Sequence, residues 1–203
     1  MSIAIILRNQ MVPNIFRNLL LSGIQLPNLT EVIFCSGFFQ ESRRSTYNVS
    51  LEGGLAHSLC NSKAKVITVG VHSHTWRQSF DNFNNALITA GANVTIRKVR
   101  GDKWHAKVFI ASTKNGPVFS LIGSSNMTRP AFSTSKPFNY EADVALWVPQ
   151  AKGVSTAIRN VLIESSPLDV IQTTYSPNKN GGLSIKERLT QLRQDILDTT
   201  DES

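Results

Sequence analysis

The sequence is short of several things, and each shortage excludes a class of protein. Cysteine occurs twice in 203 residues, at Cys35 and Cys60. That is too few for a small fold stapled by disulfides, and Cys35 sits within the apolar run "VIFCSGFF", where a buried thiol is the ordinary reading. No apolar run approaches the ~18 residues of a membrane span. The opening "MSIAIILRNQ" has no charged segment ahead of its short apolar stretch, so it reads poorly as a signal peptide and a cytoplasmic setting is expected. Acidic residues are outnumbered, 14 Asp+Glu against 21 Lys+Arg, for a net charge of +7. A basic balance favours association with a polyanion and says nothing about fold. There is no internal repeat.

What remains suits one domain with a small appendage: 41% hydrophobic residues can bury a sizeable core. Apolar, β-branched runs at 30–39, 64–71, 93–99, 104–112, 118–123 and 140–149 read as strands, and "SIAIIL" as an edge strand. A helix is expected near "VPNIFRNLLLSG", and another at 77–92. There Phe80, Phe83, Ala86, Leu87 and Ala90 recur at spacings of three and four before Gly91. "TKNGP" reads as a hairpin turn. Strands alternating with helices, followed by hairpin-linked strands, predict an α/β fold with a mixed sheet. "SPNKNGG" (176–182) looks like part of a linker at 176–183. "SIKERLTQLRQDILD" opens with a Ser184/Glu187 capping box and carries an apolar stripe of Ile185, Leu189, Leu192 and Ile196. The expected division is therefore a domain over 1–175, the linker, and an amphipathic helix with an acidic tail over 184–203. That helix either packs on its own sheet or meets a further domain, and both readings stand.

The chemistry concentrates in "KWHAKVFIAS". Residues two apart on a strand share a face, so His105 and Lys107 are expected side by side while Val108 to Ala111 enter the core. Two basic groups at a strand end suit a phosphate. "GSSN", Gly123 to Asn126, closes the next apolar strand. Its small residues let backbone approach a ligand, its successive N–H groups can form an anion nest, and Ser124, Ser125 and Asn126 add donors. Glu141 opens the strand after that. On such a set, Lys107 and Asn126 would grip phosphoryl oxygens, His105 would attack phosphorus, and Glu141 would fix the imidazole tautomer from the other ring nitrogen.

At these residues the sequence resembles the phospholipase D superfamily. "HAK", "GSSN" and "NYE" are similar to its HxK…GSxN motif and trailing Asn-x-Glu, over roughly residues 30–150. The one departure is Ser112, where the family usually has Asp five positions after the lysine. The branch it most resembles lacks that Asp: metal-independent nuclease domains of restriction endonucleases. The resemblance implies a phospholipase D-like fold, a covalent phosphohistidine, no cofactor and no metal. It also implies that the second histidine of a two-motif enzyme comes from a second copy, since this chain has one HxK motif. A homodimer with its site on the two-fold axis is therefore expected, acting on DNA, with sequence recognition in a further domain or subunit. A phospholipid hydrolase or phosphatidyltransferase, and a non-catalytic nucleic-acid-binding module, are the competing classes.

"RKVRGDK" supplies Arg97, Lys98, Arg100 and Lys103, read as phosphate-tracking residues because they lead straight into His105. Arg43 and Arg44 are weaker candidates of the same kind. His72 and His74 lack the third ligand that a metal site needs. Trp104 and Trp147 read as core or interface residues.

Overall fold

A computed structural model describes residues 1–41, 47–70, 74–99, 105, 107–163 and 169–203. In chain order the elements are β1 (Ile3–Arg8), α1 (Ile15–Ile24), β2 (Leu29–Ser36), α2 (Leu55–Ser62), β3 (Lys65–Gly70), α3 (His74–Thr89), β4 (Asn93–Val99), β5 (Lys107–Thr113), β6 (Gly116–Gly123), α4 (Arg129–Phe132), β7 (Glu141–Trp147), α5 (Val154–Ile163), β8 (Val170–Thr173), α6 (Ile185–Asp198) and β9 (Thr200–Glu202).

The described strands form one nine-stranded sheet in the order β8-β1-β7-β6-β5-β2-β3-β4-β9. β2, β3 and β4 run parallel, joined through α2 and α3 as parallel strands require. The other pairings are antiparallel. The sheet is thus mixed, as expected. The hairpin between β5 and β6 turns at Gly116, whose φ of +98° suits glycine.

Alternation along the strands sorts the core into two layers. Phe34, Phe109, Ala111, Phe119, Leu121, Ala145 and Trp147 point to the face covered by α1, α2, α3 and α5. Ile33, Cys35, Ile67, Val69, Val108 and Ile110 point to the other face, where Ile196 of α6 packs. The Asn14 side chain caps α1 by accepting from the Arg17 N–H at 3.0 Å. Trp147 is fully buried, a core residue as anticipated.

The placements of β1, His105 and the acidic tail differ from the sequence-based expectation, while α6 follows one of its two readings. β1 is interior rather than an edge, because the short β8 pairs outside it, Ile3 opposite Thr173. β5 begins at Lys107, so His105 precedes the strand instead of sharing its alternation. The C-terminal segment lies on the sheet. The Ser184/Glu187 capping box forms, Ile185, Leu189 and Ile196 of α6 are buried, and the acidic tail becomes β9, paired with β4. Packing on its own sheet is the reading the helix follows.

Candidate active site

Sheet register assembles the site. Lys107 of β5 lies opposite Gly123 of β6, which lies opposite Asp143 of β7. On the other side of β5, Cys35 of β2 pairs with Val108, which brings Ser36 to the same edge. Four strand ends separated in sequence thus converge along a row of spacing ~4.8 Å.

His105 is exposed, while Lys107 is only 7% exposed. The Lys107 ammonium donates to the His105 carbonyl at 2.8 Å and meets the ring at Nδ1, 3.2 Å, and Nε2, 3.5 Å. An ammonium can only donate, so a ring nitrogen bonded to it acts as the acceptor. Burial pushes the Lys107 pKa down, and the nearby Glu141 carboxylate opposes that shift.

The "GSSN" loop is held from two sides. The Ser124 hydroxyl donates to the Glu141 carboxylate and accepts from the Ala142 N–H at 3.0 Å. Ser125 turns inward, 2% exposed, and donates to Asp143 through its N–H at 3.2 Å and its hydroxyl at 2.6 Å. Desolvation raises the Asp143 pKa from 3.8 to about 6 against the pull of these Ser125 bonds. From β2, the Ser36 hydroxyl meets Asn126 Oδ1 at 3.3 Å and accepts the Met127 N–H at 3.2 Å. The Asn126 side-chain amide, which offers both a donor and an acceptor, stands at this edge.

These contacts correct several expectations. The loop does not form an anion nest from successive N–H groups. The Ser124 N–H pairs with the Ala142 carbonyl at 3.1 Å, Ser125 with Asp143 and Met127 with Ser36. Gly123 admits no side chain because of β7, not a ligand: a Cβ there would meet the Ala142 carbonyl oxygen at 2.5 Å. Ser125 is buried, with its N–H and hydroxyl both donated to Asp143. Glu141 takes its hydrogen bond from Ser124, not from the imidazole. Arg97 is turned away from the site: its guanidinium donates to Thr200 Oγ1 and the Leu197 carbonyl, each at 2.8 Å, and to the Thr200 carbonyl at 2.5 Å. Lys98, one residue on, points to the opposite face and shares a row with Gly70 and Ser36. Arg100, Lys103, Trp104, Arg43, Arg44 and His72 lie outside the described residues, and His74 opens α3.

Two residues of the site carried no local signal. Arg8, 5% exposed, ends β1 opposite Glu141 and donates to the carbonyls of Pro130 at 2.7 Å, Ala131 at 2.6 Å and Ser133 at 3.2 Å. Burial lowers its pKa, and Glu141 and Asp143 counter that. Arg8 thus ties the segment after "GSSN" to the sheet and places a cation beside both carboxylates. Asp143 lies two residues from Glu141 on the same face of β7, and the sequence reading passed over it.

The described His, Cys, Asp and Glu residues form no cluster of three that would hold a metal ion, and no helix among them is long and apolar enough to cross a membrane. A cavity of about 1100 Å³ opens at the other end of the strands, lined by Thr30, Thr113, Lys114 and Lys186. It is remote from His105.

No protein-family model matches the chain, and no curated protein matches it in sequence. Among solved structures, phosphatidylserine synthase of Haemophilus influenzae Rd KW20 aligns over 97% of this chain and 45% of its own, with 12% identity and a TM-score of 0.51. The phospholipase D family member Nuc from Salmonella typhimurium covers 80% of this chain and 92% of its own, with 18% identity and a TM-score of 0.48. NucT from Helicobacter pylori covers 78% and 90%, with 17% identity and a TM-score of 0.47. The likeness to the synthase is one of architecture. The fold is a mixed sheet flanked by helices.

Proposed function

We propose that the chain is a metal-independent phosphodiesterase acting on DNA through a covalent phosphohistidine, the catalytic domain of a restriction-type endonuclease. The observation that carries this reading is the Lys107 ammonium held at 3.2 Å from the His105 ring, on the edge that also carries Asn126 and the Ser124–Glu141 pair.

A phosphodiester repels nucleophiles through its negative charge. Lys107 and the Asn126 amide bind the non-bridging oxygens and offset that charge, each such donor being worth ~3–4 kcal/mol in a shielded site. As the ammonium moves from the imidazole to the phosphate, it releases a ring lone pair. That nitrogen attacks phosphorus, the P–N bond forms, and the P–O bond to the leaving nucleoside breaks. The leaving oxygen takes a proton from a second acid, worth roughly 10²–10⁴-fold. In the homodimer this acid is the partner's His105, brought up by a two-fold axis. The same group, now neutral, draws a proton from water, which attacks phosphorus, breaks the P–N bond and restores His105.

Glu141 acts in this scheme through Ser124 and through its field on Lys107. Recognition of a DNA sequence belongs to a further domain or subunit. Trapping of label on His105 from internally labelled DNA in EDTA tests the reading.

A further inference from the structure

The segment following β2 carries a feature that the phosphate chemistry leaves unused. Phe38 and Trp76, from the end of β2 and the first turn of α3, are both half-buried, and their ring centroids lie 4.8 Å apart with planes inclined at 51°. The Phe38 backbone stands close to the Asn126 side chain. Ser36, which meets Asn126 Oδ1 at 3.3 Å, also donates to the Phe38 carbonyl at 2.8 Å and accepts the Phe38 N–H at 3.4 Å. Gly37 between them lies so close that an added Cβ would be 3.7 Å from Asn126 Oδ1. Aromatic rings needed only for the core are covered here, as Phe39 is, 1% exposed and packed on Phe80 and Phe83. Phe38 and Trp76 keep part of their surface in solvent.

We infer that Phe38 and Trp76 form a nucleobase-stacking subsite beside the scissile phosphate, so that the substrate is engaged as a single strand with the adjoining base unstacked. This rests on the phosphodiesterase reading alone, not on its restriction-type part, and names the substrate class of the same site. A base on a paired duplex already has its faces covered, whereas a splayed base offers a π-face to an aromatic side chain. A glycerophospholipid head group has no such face. Lys98, half-buried and in the row of Ser36 and Gly70, lies about 10 Å along the sheet edge from Ser36 at the usual strand spacing. It gives the strand a further phosphate contact beyond the platform.

The experiment measures binding of end-labelled oligothymidylate, the same-length oligomer of abasic units, and a duplex, by anisotropy at one salt concentration. The full chain carrying His105→Ala is the parent, which prevents cleavage. Trp76→Leu in that parent keeps apolar volume and removes the π-face; Phe38→Leu does the same for its partner. Trp76→Leu is expected to weaken oligothymidylate binding by roughly 5–50-fold and abasic binding by less than about twofold, with Trp76→Phe between. Equal losses on both oligomers, or no loss, overturn the stacking subsite. Tight duplex binding with weak single-strand binding overturns it while leaving the phosphodiesterase reading intact. Binding to none of the three overturns both.

Discussion

Replacing Asp143 by Asn separates the electrostatics of the site from its packing. Asp143 is 2% exposed, its carboxylate accepts two bonds from Ser125, and its pKa is raised from 3.8 to about 6. A carboxyl raised in the folded state binds its proton more tightly folded than unfolded. Its contribution to stability is full below the unfolded value and lost as pH climbs through the folded one. At ~1.4 kcal/mol per unit, the ionised group above about pH 6 costs about 3 kcal/mol that is absent below about pH 4. Asn is isosteric: its oxygen accepts the Ser125 N–H, and its amide donates to the Ser125 hydroxyl, which reverses role. Urea unfolding of both proteins across this range isolates the effect, since other titrations cancel in the difference. The wild type should lose about 3 kcal/mol relative to Asp143→Asn between about pH 4 and pH 7. A difference that stays constant with pH would refute the raised pKa and the buried placement behind it.

Arg97→Ala should lower stability by roughly 2–3 kcal/mol, since it deletes charged hydrogen bonds to the Leu197 and Thr200 carbonyls, and leave the cleavage rate of the folded protein unchanged. Unchanged stability in urea with weakened DNA binding would return Arg97 to the substrate. Lys107→Met should lower kcat by roughly 10²–10³-fold at saturating substrate, the usual cost of one transition-state donor. A kcat within about fivefold of wild type would remove Lys107 from the reaction.

How much was legible depended on whether the determinant was local. β3, β4 and β6 followed from β-branched runs, α3 from its three-and-four spacing, and the Ser184 cap from a glutamate three residues on. His105, Lys107, Asn126 and Glu141 were singled out by their order along the chain, and the register brings Lys107, Gly123 and Asp143 into one row. The hydrogen bonds between them were not legible. That Glu141 faces Ser124 and Ser125 faces Asp143 depends on how β6 and β7 pair, which no local pattern states. Arg97 looked like a phosphate ligand because it precedes His105. Only the return of β9 along β4, about a hundred residues later, gives it other partners. β8 was missed because four residues, three of them exposed, carry almost no alternation. The Phe38–Trp76 pair joins two segments nearly forty residues apart, and neither ring stands out alone.

The central claim is that His105 becomes covalently attached to phosphorus. Internally labelled DNA is incubated with the full chain in EDTA, quenched in alkaline detergent and run on a denaturing gel. The account predicts label migrating with the wild-type protein, stable to base, released by mild acid and lost in His105→Ala. Cleavage that persists in His105→Ala, or that proceeds in the wild type only when Mg²⁺ is supplied, would contradict it.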